Sequence, residues 1–440
     1  MGDMSAAMLL NLFVFTGFDD DAVWSSGWLA ERGPGMSMGV EGPDDAIDAG
    51  DGADEICGGR DDASWGIFLA SGAKLDVGRS DDRVKGIGRD WGLKLSAMEP
   101  YSTYLKGGEG DDRFVGIAHG SGAIGLFNDK GQIFSDYGPN DDMIQPPDPW
   151  ADMLPPTTDN LIIERAADLI KGTALNDGIG IKNCSQLGRG SEYGGEVIIE
   201  PGSEIQAVIA TGAGDDRVIG EGGRCGIRNI GLIDLGDDND VMRGTGSDVG
   251  FQNEEPEASD FERWGVDLGG GDDLLVGAAT AAGGAGIVNA SVVEAGDGND
   301  TIDALTGGFV GGGAIRMGAG DDVVKGFGSA AIDGGDGEGD VLILPEGAYR
   351  VSNLESVVIT SLVEDSMYGS FSEKLVTTVS FYLDKEGSDG GIQASGVEWI
   401  GGLSGDLWNL PGIADQPFVV YSGNLYVDKD GVASLFLLPE

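Results

Sequence analysis

Acidic residues recur in this chain in one arrangement: a glycine-rich turn, then a pair of residues whose second member is aspartate, then a short apolar run. The second acid marks the repeat. It is Asp54 in GDGADEICG, Asp82 in GRSDDRVKG, Asp112 in GEGDDRFVG, Asp142 in GPNDDMIQP and Asp216 in GAGDDRVIG. It returns as Asp240 in GDDNDVMRG, Asp273 in GGGDDLLVG, Asp300 in GDGNDTIDA, Asp322 in GAGDDVVKG and Asp340 in GDGEGDVLIL. A single GDD is an ordinary solvated turn. Ten in register imply that the turns stack. Equivalent residues of stacked parallel strands lie about 4.8 Å apart, a distance at which like carboxylates repel unless cations sit between them. Glycine allows positive φ, so turn carbonyls can face the same ion, and carboxylate plus carbonyl oxygens are the ligands calcium prefers.

The elements that position these acids follow from the residues around them. Two places after each marker stands an apolar side chain: Ile56, Val84, Phe114, Ile144, Val218, Met242, Leu275, Ile302, Val324 and Leu342. This is the first inward position of a short strand. A second marker, G-hydrophobic-x-N, ends at Asn128, Asn183, Asn229, Asn253 and Asn289. Asp112 to Asn128 and Asp273 to Asn289 are both 16 residues, and Asp216 to Asn229 and Asp240 to Asn253 are both 13, whereas the return steps vary widely. One side of each coil is therefore constant and the other takes insertions. The same rule assigns AADLIKG to a degenerate coil, with Asp168 fifteen residues before Asn183 and twenty-six after Asp142, and makes the segment near 143–160 an excursion. Strand patterning repeated at about 24 to 30 residues predicts a solenoid. Stacked asparagines suit a structural ladder at a corner rather than a site.

The segments from Asp54 to Leu344 resemble the haemolysin-type calcium-binding repeat, the RTX family, with IDGGDGEGDVLILP (332–345) the most specific piece. The resemblance implies a calcium-binding β-roll in which the final Asp gives a carboxylate and the turn glycines give carbonyls. On this chain that set is Asp54, Asp112, Asp216, Asp240, Asp273, Asp300, Asp322 and Asp340, with Gly214, Gly271, Gly298 and Gly320. Asp82 and Asp142, whose turns lack the middle glycine, and Asp168 are left out. The family's eighteen-residue coil is matched only between Asp322 and Asp340, so ions are expected along one edge, with the closest stacking at these C-terminal coils. The resemblance also implies type I secretion through an uncleaved C-terminal signal, which DKDGVASLFLLPE resembles.

Composition bounds the partners. A formal net charge of −50 disfavours nucleic acid and anionic membranes and calls for a cationic partner. Eighty glycines accompany a hydrophobic fraction of 40%, enough for a core. Cys57, Cys184 and Cys225 form no CxxC spacing and read as small apolar residues. The apolar run 6–17 has no basic residue before it and is too short to cross a bilayer, so neither an N-terminal signal nor a spanning helix is expected.

Enzyme signals are thin. GMSMG (35–39) fits G-x-S-x-G by chance in so glycine-rich a chain, and His119 is the sole histidine. The expected fold is all-β: a right-handed parallel β-solenoid, β-roll or β-helix-like, with irregular insertions and a C-terminal antiparallel β region that caps the stack. Residues 1–45 form an N-terminal cap or first coil, 46–345 the solenoid, and 346–440 the β-rich cap and signal region. The expected function is a secreted or cell-surface calcium-binding structural or adhesive module, with extracellular polysaccharide or a cell surface as its contact and no catalytic residue. The alternative is a carbohydrate-acting β-helix enzyme of lyase or epimerase type, with the insertion loops as its groove.

Overall fold

A computed structural model describes residues 46–136 apart from 51, 71 and 98–102, then 167–184, 207–255, 265–336 and 340–344, together with short strands before residue 46 and after residue 346. Its described residues contain no helix. Each coil carries three strands. One coil is Arg83–Gly88, Trp91–Ser96 and Tyr104–Glu109, and the next is Arg113–Ala118, Ile124–Asp129 and Gln132–Asp136. Up to Asn289 each strand pairs in parallel, residue on residue, with the strand three places along: Phe114 on Val84, Leu126 on Leu93, Leu105 on Leu75. Three parallel faces result, here A, B and C in chain order, and the chain is a parallel β-solenoid.

The period-2 patterning explains the strands. Every described apolar residue two places after an acidic marker, from Ile56 through Val84, Phe114, Val218, Met242 and Leu275 to Leu342, is buried on the inner side of face A. Ile67, Leu93, Leu126, Ile181, Ile227 and Phe251 do the same on face B, and Leu75, Leu105, Ile133, Ile209, Ile233 and Val266 on face C. These rows form one continuous core.

The core is wedge-shaped, and glycine makes it so. A Cβ on Gly116, at the fourth place after Asp112, would stand 2.2 Å from the carbonyl oxygen of Gly125, which opens the G-x-x-N tetrapeptide of the same coil. Gly244 and Gly250 repeat the contact at 2.2 Å, and Gly277 and Gly286 at 2.3 Å. Faces A and B therefore meet backbone to backbone at their shared edge, and no side chain fits between them. The glycine of G-x-x-N is thereby explained.

Several expectations change. Asp142 lies outside the described residues, as does Ile144, and the coil after Asp112 is the one carrying Asp168: Arg113–Ala118 pairs directly with Leu169–Ala174. Residues 137–166 are thus a connection between stacked coils. As expected, the link from face B to face C varies in length, from Ile230 to Leu232 in one coil to Cys184 to Val208 in another. The short C-terminal coils arise differently from the expectation. Thr301–Val310 and Val323–Asp333 are single long strands that pass from one face to the next, so their coils are short because loops are missing.

Parallel pairing also continues past Pro345. Gly347–Ser352 pairs with the preceding long strand and with Ile392–Ser395, and Ser356–Ile359 pairs with Trp399–Gly401. Among the described residues antiparallel pairing is confined to the hairpin of Ser361–Asp365 with Ser370–Lys374 and to the last strands, which include Phe418–Tyr421, Asn424–Lys429 and Val432–Leu437.

The glycine edge gives a direct test. Gly116→Ala should lower the melting temperature by several degrees, a loss of about 1–3 kcal/mol for overpacking against backbone. Gly312→Ala, where a Cβ meets nothing within 4 Å, should leave it unchanged. Equal midpoints in thermal denaturation for the two variants would refute the backbone-to-backbone edge.

Candidate functional site

The turn that leads from face C to face A carries the marker acids. Its backbone needs two residues at positive φ two places apart, as at Gly269 and Gly271 (φ 103° and 138°) and at Gly296 and Gly298 (φ 113° and 135°). Stacking adds a second demand, because a Cβ on Gly296 would stand 1.7 Å from the carbonyl oxygen of Gly269. Glycine meets both conditions at Gly296, while Ser80 and Asp238 hold the second place at positive φ (93° and 81°) in other coils.

The marker aspartates form an inner ladder. Each reaches back one coil, its Oδ1 accepting the backbone N–H of the equivalent aspartate. Asp82 accepts from Asp54 at 2.6 Å, Asp112 from Asp82 at 2.9 Å, Asp168 from Asp112 at 2.7 Å and Asp216 from Asp168 at 2.7 Å. The series runs on through Asp240, Asp273, Asp300 and Asp322 to Asp340, at 2.7 to 2.9 Å. Asp82 and Asp168, set aside on sequence grounds, are full members. The C-terminal rungs are no closer than the rest, so the shortest coils do not stack most tightly.

The residue before each marker builds an outer, exposed ladder in the opposite direction. Asp81 Oδ1 accepts the N–H of Asp111, Asp215 that of Asn239, Asn239 that of Asp272, Asp272 that of Asn299, and Asn299 that of Asp321. In the turns of Asp111, Asn239, Asp272, Asn299 and Asp321, two consecutive N–H groups are thus satisfied, one from the coil before and one from the coil after. Paired short polar residues are required because a turn donor left without a partner is costly.

The outer acids alternate. Before the marker the residues run Asp215, Asn239, Asp272, Asn299, Asp321. Two places earlier, bridges stack Ala213, Asp237, Gly270, Asp297, Ala319 and Asp336. The two series are out of phase, so each of these coils from Ala213 to Asp321 bears one exposed acid across the two columns and none lies directly on another. Sequence reading treated these turns as equivalent; the signal was present in the alternation of GAGDD and GGGDD with GDDND and GDGND.

A third ladder closes the corner between faces B and C. Asn128 Nδ2 donates to Asn183 Oδ1 at 2.9 Å, Asn183 to Asn229 at 2.8 Å, Asn229 to Asn253 and Asn253 to Asn289 at 3.0 Å. The same amides donate to carbonyls of the following strands. The column is structural, as expected.

The inner aspartates are at most 3% exposed. Burial pushes the carboxyls of Asp82, Asp168 and Asp273 up to about 8 and that of Asp240 to about 9, and those of Asp300 and Asp322 to about 6. Accepted backbone N–H bonds oppose the rise, and stacked neighbouring acids add to it. Around Asp82, Asp240, Asp273, Asp300 and Asp322 the second oxygen, Oδ2, is buried without a hydrogen-bond partner.

The donor chemistry suits a hard cation, since every available group is an oxygen. Among the described residues no three His, Cys, Asp or Glu side chains converge as a ready-made metal cluster, so an ion would need turn carbonyls too. Those carbonyls lie along the solenoid axis: that of Gly271 faces Gly298 and that of Gly298 faces Gly320, each 2.0 Å from where a Cβ would stand.

The other sequence candidates do not assemble. His119 Nε2 lies 3.1 Å from Asp61 Oδ1, whereas Ser121 Oγ bonds Asp177, and Ser37 is outside the described residues. Burial raises the thiols of Cys57 and Cys225 to about 11 and 12, which suits inert packing. No helix among the described residues is long and apolar enough to cross a membrane. Comparison of the chain with protein-family models, curated proteins and solved structures returns no match.

The aspartate ladder predicts an inverted pH response. Carboxyls whose folded pKa is raised stabilise the fold below their unfolded value, near 4, and lose that contribution as pH rises through the folded values of about 6 to 9. Without divalent cations the melting temperature should climb as pH falls from about 9 to about 5. Asp240→Asn, neutral at every pH, should flatten the slope; an unchanged slope would show that this column does not titrate with folding.

Proposed function

We propose that the chain is a secreted or cell-surface structural β-solenoid whose folding is coupled to calcium, related in its turn chemistry to RTX repeats. The observation that carries this reading is the inner ladder: a column of buried aspartates stacked in register, in which Oδ2 of Asp82, Asp240, Asp273, Asp300 and Asp322 is buried without a hydrogen-bond partner. Buried carboxylates persist when they are protonated, paired or bound to metal. At neutral pH, calcium relieves the column without protons, and it takes the oxygen donors that the turns present.

The residues that would hold it are Asp54, Asp112, Asp216, Asp240, Asp273, Asp300, Asp322 and Asp340, with carbonyls from Gly214, Gly271, Gly298 and Gly320. Asp82 and Asp168 join them by position, and the alternating exposed acids Asp215, Asp237, Asp272, Asp297 and Asp321 supply further oxygens. Bound calcium supplies positive charge and oxygen coordination. The chain's own part is to hold the acids in register and keep water from them. A chain of net charge −50 self-repels at the low calcium of a cytoplasm and compacts where calcium is plentiful, which fits an extracellular setting.

A calcium titration at pH 7.5 tests this. Millimolar calcium should raise the melting temperature and the β signal in circular dichroism relative to excess chelator, by about 2.7 kcal/mol for each site filled at 100 times its dissociation constant. Asp273→Asn with Asp300→Asn should remove part of that gain. Identical melts in chelator and calcium would end the calcium reading and leave protonation as the means by which the column is neutralised.

A further inference from the structure

The outward side of face A bears a second pattern, of opposite sign. Strand register places Arg83 under Arg113, Arg113 under Leu169, Leu169 under Arg217 and Arg217 under Val241. Two residues along, the neighbouring column runs Lys85, Val115, Lys171, Ile219, Arg243. From the third coil to the sixth the pairs are therefore Arg113 with Val115, Leu169 with Lys171, Arg217 with Ile219, and Val241 with Arg243. Each coil presents one cation and one aliphatic side chain, and the cation changes column at every step.

Arg83, Arg113, Arg217 and Arg243 are exposed and make no ion pair among the described residues. Lys171 pairs with Glu221 at 2.9 Å. Beyond Glu221, the acids on this face are Glu55, one coil below Arg83, and Asp303, two coils above Arg243, while the exposed Asp81, Asp111 and Asp215 of the adjoining turn stand two residues before Arg83, Arg113 and Arg217. In a chain of net charge −50 this is a concentrated cationic strip.

Compensation of the buried aspartates does not account for it. That role would put a cation beside every marker, but the residue after Asp168 is Leu169 and the residue after Asp240 is Val241. Leu274, Thr301 and Val323 likewise follow Asp273, Asp300 and Asp322 without a cation.

We infer that face A between Arg83 and Arg243 is a docking platform for a linear acidic polysaccharide lying along the solenoid axis. Charge complementarity selects a polyanion. The coil spacing of about 4.8 Å, with the cation alternating between columns about 6.6 Å apart, selects a chain with one carboxylate per unit on alternating sides. Consecutive uronate rings, flipped relative to one another, have that form, and their C–H faces suit Val115, Leu169, Ile219 and Val241. A single-stranded nucleic acid would instead need aromatic platforms for its bases, and this strip has none. The inference is independent of the calcium reading.

The test uses the full chain, its fold checked by circular dichroism, with an oligogalacturonate too short to gel with calcium as the probe. Binding should be salt-dependent, as expected of exposed charges. Arg113→Ser, Arg217→Ser and Arg243→Ser should each weaken it about three- to tenfold, and the triple variant at least about a hundredfold. Arg60→Ser with Arg89→Ser, off this face, should leave affinity unchanged. No binding of the probe, an unaffected triple variant, or equal affinity for an uncharged galactan or an oligothymidylate would overturn the inference. The titrations are run with calcium and again with magnesium alone; binding retained in a protein that folds equally well in both would uphold the platform while removing the calcium proposal.

Discussion

Every residue of a parallel solenoid stands on its own equivalent, about 4.8 Å away. For apolar side chains the constraint is harmless, and rows such as Val84, Phe114, Ile170 and Val218 simply become a core. For backbone donors at a turn, and for charges, it is severe. The turn between faces C and A breaks the strand ladder, so two N–H groups in each coil lose their ordinary partners. In coils such as those of Asp240 and Asp272 they are recovered by short polar side chains from adjacent coils, one reaching back and one forward. Most features of this chain's sequence trace to that requirement.

The solution carries an electrostatic cost. Ladder aspartates must be buried to reach their donors, and burial together with like neighbours disfavours their ionised form. From Ala213 to Asp321 the exposed acids of the same turns avoid the problem by alternating with asparagine, alanine or glycine, whereas Asp81 and Asp111 stack directly. Cations are placed on the outward side of face A, one strand residue away from the column but across the sheet. Acids thus lie within and along this edge, while the adjoining face A carries a strip of cations.

Much of this was legible in the sequence. The interval from Asp to Asn fixed which residues share a coil, and the apolar residue at the second place fixed which side faces inward, because both signals lie inside unbroken strands. Asp168 was found by the same interval although its glycines are gone. The link to Asp142 failed because insertion length carries no record of which coil stacks on which; only pairing of Arg113–Ala118 with Leu169–Ala174 reveals that 137–166 is bypassed. The glycine edge went unread for a related reason. Gly116 and Gly125 are explained by each other, and nothing local to either announces the partner. The metal set is a matter of chemistry rather than register, and the sequence could name its oxygens without saying which are already bonded.

The alternation of the turns bears on how such a chain can change in length. Removing the single coil that carries Asp237 and Asn239 would set Asp215 directly beneath Asp272, and Ala213 beneath Gly270, bringing like acids into contact in one column and leaving none in the other. Removing two consecutive coils would restore the original neighbours. The repeat of charge in this part of the solenoid is therefore a pair of coils, and a change in length by even steps would preserve it.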